Sequence, residues 1–239
     1  MSERNTVLRV LSAGAAKGIV EALSAASASV AGVRIDATFD SAGAIRNAVD
    51  GGSAFDLVIL PAAMLDTLAS QGLVDAESIA ALGRVPTGVA VASGDRLPDV
   101  HDADALKASL DAATALYCPD TMRSTAGMHF TGVLRTLGLH DASLAKLHTY
   151  PNGAQAMAAL AAGGAKAAIG CTQITEILYT PGVVLVAALP APFELSTIYA
   201  VAVASNTASS RDARAFAARL TGSETCALRH AGGFLDRSK

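Results

Sequence analysis

No tryptophan occurs in this 239-residue chain, and aromatic residues make up only 4% of it. So few rings leave little to stack on a base, which argues against nucleotides and aromatic ligands. Charge is sparse as well: 16% of residues, with 18 Lys+Arg against 21 Asp+Glu and a net charge of −3. That balance offers no basic stripe for a nucleic-acid backbone. The three cysteines, Cys118, Cys171 and Cys226, cannot build a disulfide framework and lack Cys-x-x-Cys spacing for zinc or redox work. No apolar run is long enough to span a membrane, so no membrane insertion is expected. The start, Met1-Ser-Glu-Arg-Asn-Thr6, lacks the basic region and apolar stretch of a secretory leader. As written the chain reads as cytoplasmic; a trimmed leader with a restored methionine would make it periplasmic.

Motifs for several chemistries are missing too. There is no Gly-x-x-x-x-Gly-Lys-[Ser/Thr], no Gly-x-Gly-x-x-Gly, no His-Glu-x-x-His and no Gly-x-Ser-x-Gly. His101, His129, His140, His148 and His230 are scattered without ligand spacing, so neither a metal site nor a cofactor is expected.

What the chain does have is small apolar residues: 52 alanines within a hydrophobic content of 51%. Short β-rich runs alternate with helical patterns. Val7–Leu11, Val33–Phe39 and Asp56–Leu60 read as strands, with helices over Lys17–Ser29 and Ala42–Asp50. The alternation returns with strands at Ala113–Cys118 and Ala167–Cys171, and helices at Gly127–Leu137 and Gln155–Ala162. Continuous apolar strands between helices predict an α/β fold with mainly parallel sheets covered on both faces.

The order strand, small-residue loop, helix, then helix, Gly-Gly, strand occurs twice. Ser12-Ala-Gly14 and Thr125-Ala-Gly127 open helices, while Gly51-Gly52 and Gly163-Gly164 precede strands. Val85–Ser93 and Thr197–Ser205 both end in Val-Ala-Val-Ala-Ser and read as hinge strands, followed by a helix over Ser210–Leu220. These segments predict a discontinuous first lobe, 1–84 with 197–239, and a second lobe, 85–196. A cleft between two such lobes is the default ligand site.

The chain resembles the type II periplasmic binding-protein superfamily, specifically molybdate-binding-protein-like chains of the ABC-transporter substrate-binding class. The resemblance rests on Val10–Lys17, Thr38–Ile45, Gly51–Ile59, Gly88–Gly94 and Gly232-Gly-Phe234 in this order and spacing. It implies a two-lobed fold with a hinge that closes on a small ligand, often an anion at helix N-termini, and an ABC-transporter permease as partner if the protein is exported.

Elementary electrostatics supports an anion independently. A helix start presents unpaired N–H groups and roughly half a positive charge, and loops of small residues let an oxyanion approach them. Four such loops are predicted: Ser12–Lys17, Asp40–Gly43, Arg123–Gly127 and Gly170–Thr172. Each alone reads as an ordinary cap. The candidate ligand-binding residues are therefore Ser12, Ala15, Ala16, Ser41, Ala42, Gly43, Pro61, Ala62, Arg123, Ser124, Thr125, Cys171 and Thr172. Relatives tend to carry hydroxyls where this chain has Ala15, Ala42 and Leu60-Pro61-Ala62, which disfavours a tetrahedral metal oxyanion. Arg123 adds a planar fork suited to a carboxylate. The ligand is thus expected to be a di- or tricarboxylate.

Some members of the resembled family are similar to aconitate isomerases, which move a double bond in an unsaturated tricarboxylate. That chemistry needs an acid/base pair, and Lys17 and His129, just after matching loops, are the candidates. Both also suit bland roles, a solvated lysine and a hydrogen-bonded helix histidine, and Cys171 suits that of a buried small hydrophobe. Binding and isomerisation both stay open on the sequence.

Overall fold

The structure is a computed structural model that describes residues 6–27 and 33–236. The chain runs β1 (Thr6–Ala13), α1 (Lys17–Ser27), β2 (Val33–Asp40), α2 (Ala42–Asp50), β3 (Leu57–Pro61), α3 (Ala62–Ser70) and β4 (Ala80–Ala92). Then follow α4 (Ala103–Ala112), β5 (Leu116–Pro119), α5 (Thr125–Thr136), α6 (His140–Ser143), β6 (Leu147–Tyr150), α7 (Gly153–Ala162), β7 (Ile169–Gln173), α8 (Ile174–Tyr179) and β8 (Val183–Ala188). It closes with β9 (Ser196–Val203), α9 (Ser210–Thr221) and α10 (Cys226–Ala231). Two compact units result: Met1–Arg84 with Thr197–Lys239, and Val85–Ser196.

In the first unit β1 pairs in parallel with β2 (Ala13 opposite Asp40) and with β3 (Ser12 opposite Ile59). The antiparallel β9 then flanks β3, with Ile59 opposite Val201. Leu57, Val58, Ile59 and Leu60 are all fully enclosed, as a strand covered on both faces requires. Asp56, just before that strand, ties the unit together. It accepts from the Arg9 amide at 2.8 Å and the Thr207 hydroxyl at 2.6 Å, and its own amide donates to the Arg9 carbonyl.

In the second unit β5 lies between β6 and β7, parallel to both, and β7 pairs antiparallel with β4. Period-two alternation divides its core. Val89, Val91, Leu116, Cys118, Ile169 and Cys171 point to one face, beneath Leu106 and Leu110 of α4 and Phe130 and Leu134 of α5. Ala90, Tyr117 and Ala168 point to the other, beneath Met157 and Leu160 of α7. The Lys146 ammonium donates to the carbonyls of Leu110, Asp111 and Ala113 at 2.7–3.0 Å, sealing the end of α4.

Two expectations shift. The strand predicted at Ala113–Cys118 begins only at Leu116, because Asp102 caps a helix that runs to Ala112 and Ala113 closes it. Gly170–Thr172, predicted as a helix-start loop, lies inside β7; its small residues serve close packing of a buried strand. The predicted end of the first helix, beyond Ser27, lies outside the described residues.

Candidate functional site

Parallel strands that each feed a helix bring all their loops to one edge, the carboxyl edge, where ligands of open α/β sheets bind. The first unit gathers three of the predicted groups there, after β1, β2 and β3. Ser12 is buried near the end of β1 and its hydroxyl donates to the Ala13 carbonyl at 3.0 Å. Ala15 and Ala16 are buried in the short 3₁₀ turn Gly14–Ala16 that leads into α1. Ser41 caps α2, its hydroxyl accepting from Ala44 N–H, with Ala42 and Gly43 as the first helical residues. Pro61 ends β3 and Ala62 opens α3. First-turn amides have no intrahelical acceptor. The Ser41 cap takes that of Ala44, and the Asp40 carboxylate accepts from the Ser41 amide at 2.7 Å.

The second unit gathers the rest. Asp120 Oδ1 accepts from the amides of Met122 and Arg123, folding the turn that presents Arg123 at the surface. Ser124 caps α5, and Thr125 and Ala126 hold the first two amides of that helix. Gly127 follows because a Cβ there would collide with the backbone carbonyls of Pro119 and Asp120. Gly127→Ala is therefore expected to destabilise the second unit by roughly 1–3 kcal/mol, since backbone cannot yield as a side chain does. Gly132, one turn on with nothing near its Cβ position, provides the control. Gly132→Ala should be neutral or stabilise by about 0.5–1 kcal/mol. Denaturant melts of both variants measure the contrast.

Thr172 and Cys171 are both fully enclosed in β7. Burial, with a smaller contribution from Cys118, pushes the Cys171 thiol well above its ordinary value. Burial, aided by Asp120, raises Cys118 to about 12. Neither is a thiolate nucleophile at neutral pH.

The two acid/base candidates are already engaged. Lys17 begins α1 with its ammonium 3.8 Å from Glu21 and 5.9 Å from the centroid of the Phe39 ring. His129 Nε2 lies 2.8 Å from the Phe193 carbonyl oxygen, an acceptor, so this nitrogen carries the proton.

Two residues at the carboxyl edge of the second unit escaped sequence reasoning. Glu176 is 6% exposed and its carboxylate accepts from the Thr172 hydroxyl at 2.5 Å. It also accepts from the amides of Gln173 and of Gly153, the first residue of α7. Gly153 is needed there, because a Cβ would occupy the space of the carboxylate. Burial pushes Glu176 up to about 7, against those three donors, which favour the charged form. The start of α7 thus already holds an internal carboxylate. Gln173, 3% exposed, has neither its amide oxygen nor its nitrogen partnered, and the hydroxyls of Thr87, opposite it in register, and Thr175 are likewise unpartnered. A buried amide in that condition calls for water or a ligand. In sequence, a polar Gln ending an apolar run was the available signal.

A cavity of about 560 Å³ also exists in the second unit, lined by Val91, Leu97, Ala112, Lys166 and Ile169 among others. It sits where β7 begins, away from the helix starts, and its lining is mostly apolar.

Comparison with known proteins decides the lineage. The model of the bacterial extracellular solute-binding protein family matches residues 8–235. The chain belongs to that family. Its fold is that of type II periplasmic binding proteins of the molybdate-binding kind. The periplasmic molybdate-binding protein of Azotobacter vinelandii superposes with a TM-score of 0.81 at 19% identity, over 97% of this chain and 100% of that one. The sulfate-binding protein of Mycobacterium tuberculosis H37Rv follows with a TM-score of 0.72 at 17% identity, over 98% and 88%. Among characterised sequences, an aconitate isomerase from a Pseudomonas species is 29% identical over 216 residues, 88% of this chain and 80% of that one. Among the described residues, no helix is long and apolar enough to cross a membrane.

Proposed function

We propose that this solute-binding family member holds a small organic di- or tricarboxylate at the carboxyl edges of its parallel strands. The observation that carries the reading is the set of helix starts there, α2 and α5 capped by Ser41 and Ser124, since a helix start favours an anion. The shortage of side-chain hydroxyls supports carboxylate over a tetrahedral oxyanion: Ala15, Ala16, Pro61 and Ala62 offer none, and Ser12 spends its own on Ala13. Arg123 supplies a fork at the surface, and Gln173 an amide free to accept and donate. In this role the protein is a receptor that delivers its ligand to an ABC-transporter permease.

A thermal-shift panel on ligand-stripped protein tests this. A ligand at about 100 times its dissociation constant adds roughly 2.7 kcal/mol of stability. Citrate, aconitate or a related acid should give a shift of that order, and Arg123→Ala and Gln173→Leu should shrink it. Stabilisation by molybdate or sulfate with none by carboxylates would overturn the reading.

A second reading is favoured by the likeness to an aconitate isomerase across 88% of the chain. In it the protein shifts the double bond of an unsaturated tricarboxylate by proton transfer, with Lys17 of the first unit and His129 of the second as the candidate acid and base. A carboxyl held near 7, as Glu176 is, also suits such chemistry. Following the isomer ratio of cis- and trans-aconitate separates the readings. Turnover reduced by Lys17→Ala, His129→Ala or Glu176→Gln supports the isomerase, whereas stabilisation by aconitate without turnover leaves the receptor.

A further inference from the structure

The first unit carries a cluster of side chains that the anion site does not use. Cys226 opens α10 and His230 stands four residues later, so one face of a single helix carries both. The chain then turns back. Phe234 is buried, its amide donates to the Arg229 carbonyl, and Leu235 exchanges backbone hydrogen bonds with Arg84. That pinning returns Asp236 to the helix, with Oδ1 2.9 Å from His230 Nε2. Cys226 Sγ lies 3.8 Å from the same nitrogen. The three donor atoms fall within 4.8 Å of one another.

The arrangement discriminates between two chemistries. A thiol–imidazole–carboxylate relay needs the thiol and the carboxylate on opposite ring nitrogens. Here the sulfur lies nearly level between the two ring nitrogens, 3.8 Å from Nε2 and 4.0 Å from Nδ1, so it is not aligned on Nδ1 as a relay requires, and all three donor atoms gather within 4.8 Å. In a tetrahedral zinc site, metal–sulfur and metal–nitrogen bonds of about 2.3 and 2.0–2.1 Å place sulfur and nitrogen roughly 3.5 Å apart. The observed sulfur–nitrogen and nitrogen–oxygen distances, 3.8 and 2.9 Å, lie within about half an ångström of tetrahedral spacing. Nearby charge is compatible: the Arg229 guanidinium is turned away, donating to the carbonyls of Leu220 and Gly222 and to Thr225. A small cavity of about 190 Å³ borders His230 and Asp236, with Arg229, Phe234 and Leu235 also in its lining.

We propose that Cys226, His230 and Asp236 form a binding site for a borderline-soft divalent cation, zinc above all, with one position open to solvent. The donor set argues for the metal: thiolate and imidazole select zinc over magnesium or calcium, and three protein ligands plus solvent is a known zinc arrangement. Counting histidine spacing alone gave no expectation of a metal. A cysteine and a histidine four apart become a site only when the segment is helical and Asp236 folds back.

Cys118 and Cys171 are buried, so Cys226 is the thiol open to a reagent in the native protein. Zinc chloride added to the whole, reductant-free protein should slow modification of that thiol by at least about tenfold. Cobalt(II) should give a thiolate charge-transfer band that is lost in Cys226→Ser. His230→Ala and Asp236→Asn should each weaken protection; loss of even an outer partner costs about 10–100-fold in metal affinity. Thiol modification unchanged by excess zinc, or protection in His230→Ala or Asp236→Asn equal to that of the wild type, would overturn the site.

Discussion

Between pH 4.5 and about 7 the second unit is expected to lose roughly 3 kcal/mol of stability through one carboxyl, and Glu176→Gln is expected to abolish that loss. The sign follows from proton counting. Burial holds Glu176 at about 7, whereas a free glutamate sits near 4.5. Across that interval the folded protein keeps a proton that the unfolded chain has released, so raising the pH favours unfolding. Each pH unit is worth about 1.4 kcal/mol, and above 7 both states are ionised and the effect is constant. Glutamine carries no titrating proton. The stability difference between wild type and variant should therefore narrow or reverse as the pH climbs from 5 to 8. Denaturant melts at several pH values measure it, and a pH-independent difference would remove the claim. Carboxylate ligands add a corollary: an anion near this edge binds more readily while Glu176 is neutral, so affinity should fall through the same window.

Asp56→Ala is expected to cost roughly 2–4 kcal/mol in the first unit. Burial raises the Asp56 pKa, but hydrogen bonds from Thr207, from the Arg9 amide and from the Arg9 side chain outweigh it, and the net value is lowered. Arg9 is 51% exposed, so its guanidinium returns to water when the partner is lost, and the pair itself contributes little. The cost comes from leaving the part-buried Arg9 amide and Thr207 hydroxyl without this acceptor; a fully buried group so stranded costs about 1–3 kcal/mol. The pH dependence is opposite to that of Glu176. A lowered pKa gives stability that is present above the unfolded value of 3.8 and lost as the pH falls through the folded one. Wild type and Asp56→Ala should thus converge in strong acid. Equal stability at pH 7 would show that water replaces the missing acceptor at no cost.

These two carboxyls also mark where sequence reading succeeds and fails. The run Leu57–Leu60 announces a strand covered on both faces, because only such a strand has no polar side. The helix Ala42–Asp50 is equally legible, with Ser41 at its start and Gly51-Gly52 after its end. Loops at the ends of β1, β2 and β5 were readable for the same reason. Glu176 was not. In Thr175-Glu176-Ile177 it reads as an ordinary exposed helix charge, and only the packing of α7 against α8, with Gly153 lacking a Cβ, encloses it. Gly170-Cys171-Thr172 misled in the other direction, since small residues serve a loop and a tightly covered strand alike. Helix α4 was missed because its stripe is only Leu106 and Leu110, amid alanines that suit any structure.

The lysine that seals α4 has a consequence for how the second unit assembles. Its ammonium reaches carbonyls 33 to 36 residues earlier in the chain, at the point where a helix would ordinarily end in glycine. No glycine closes this helix: Ala113 ends it in an extended conformation, its amide bonded to the Ser109 carbonyl. Its last turn and the segment around Lys146 are therefore thermodynamically one piece: neither is complete until the other arrives, and acetylation of a single amine would uncouple them.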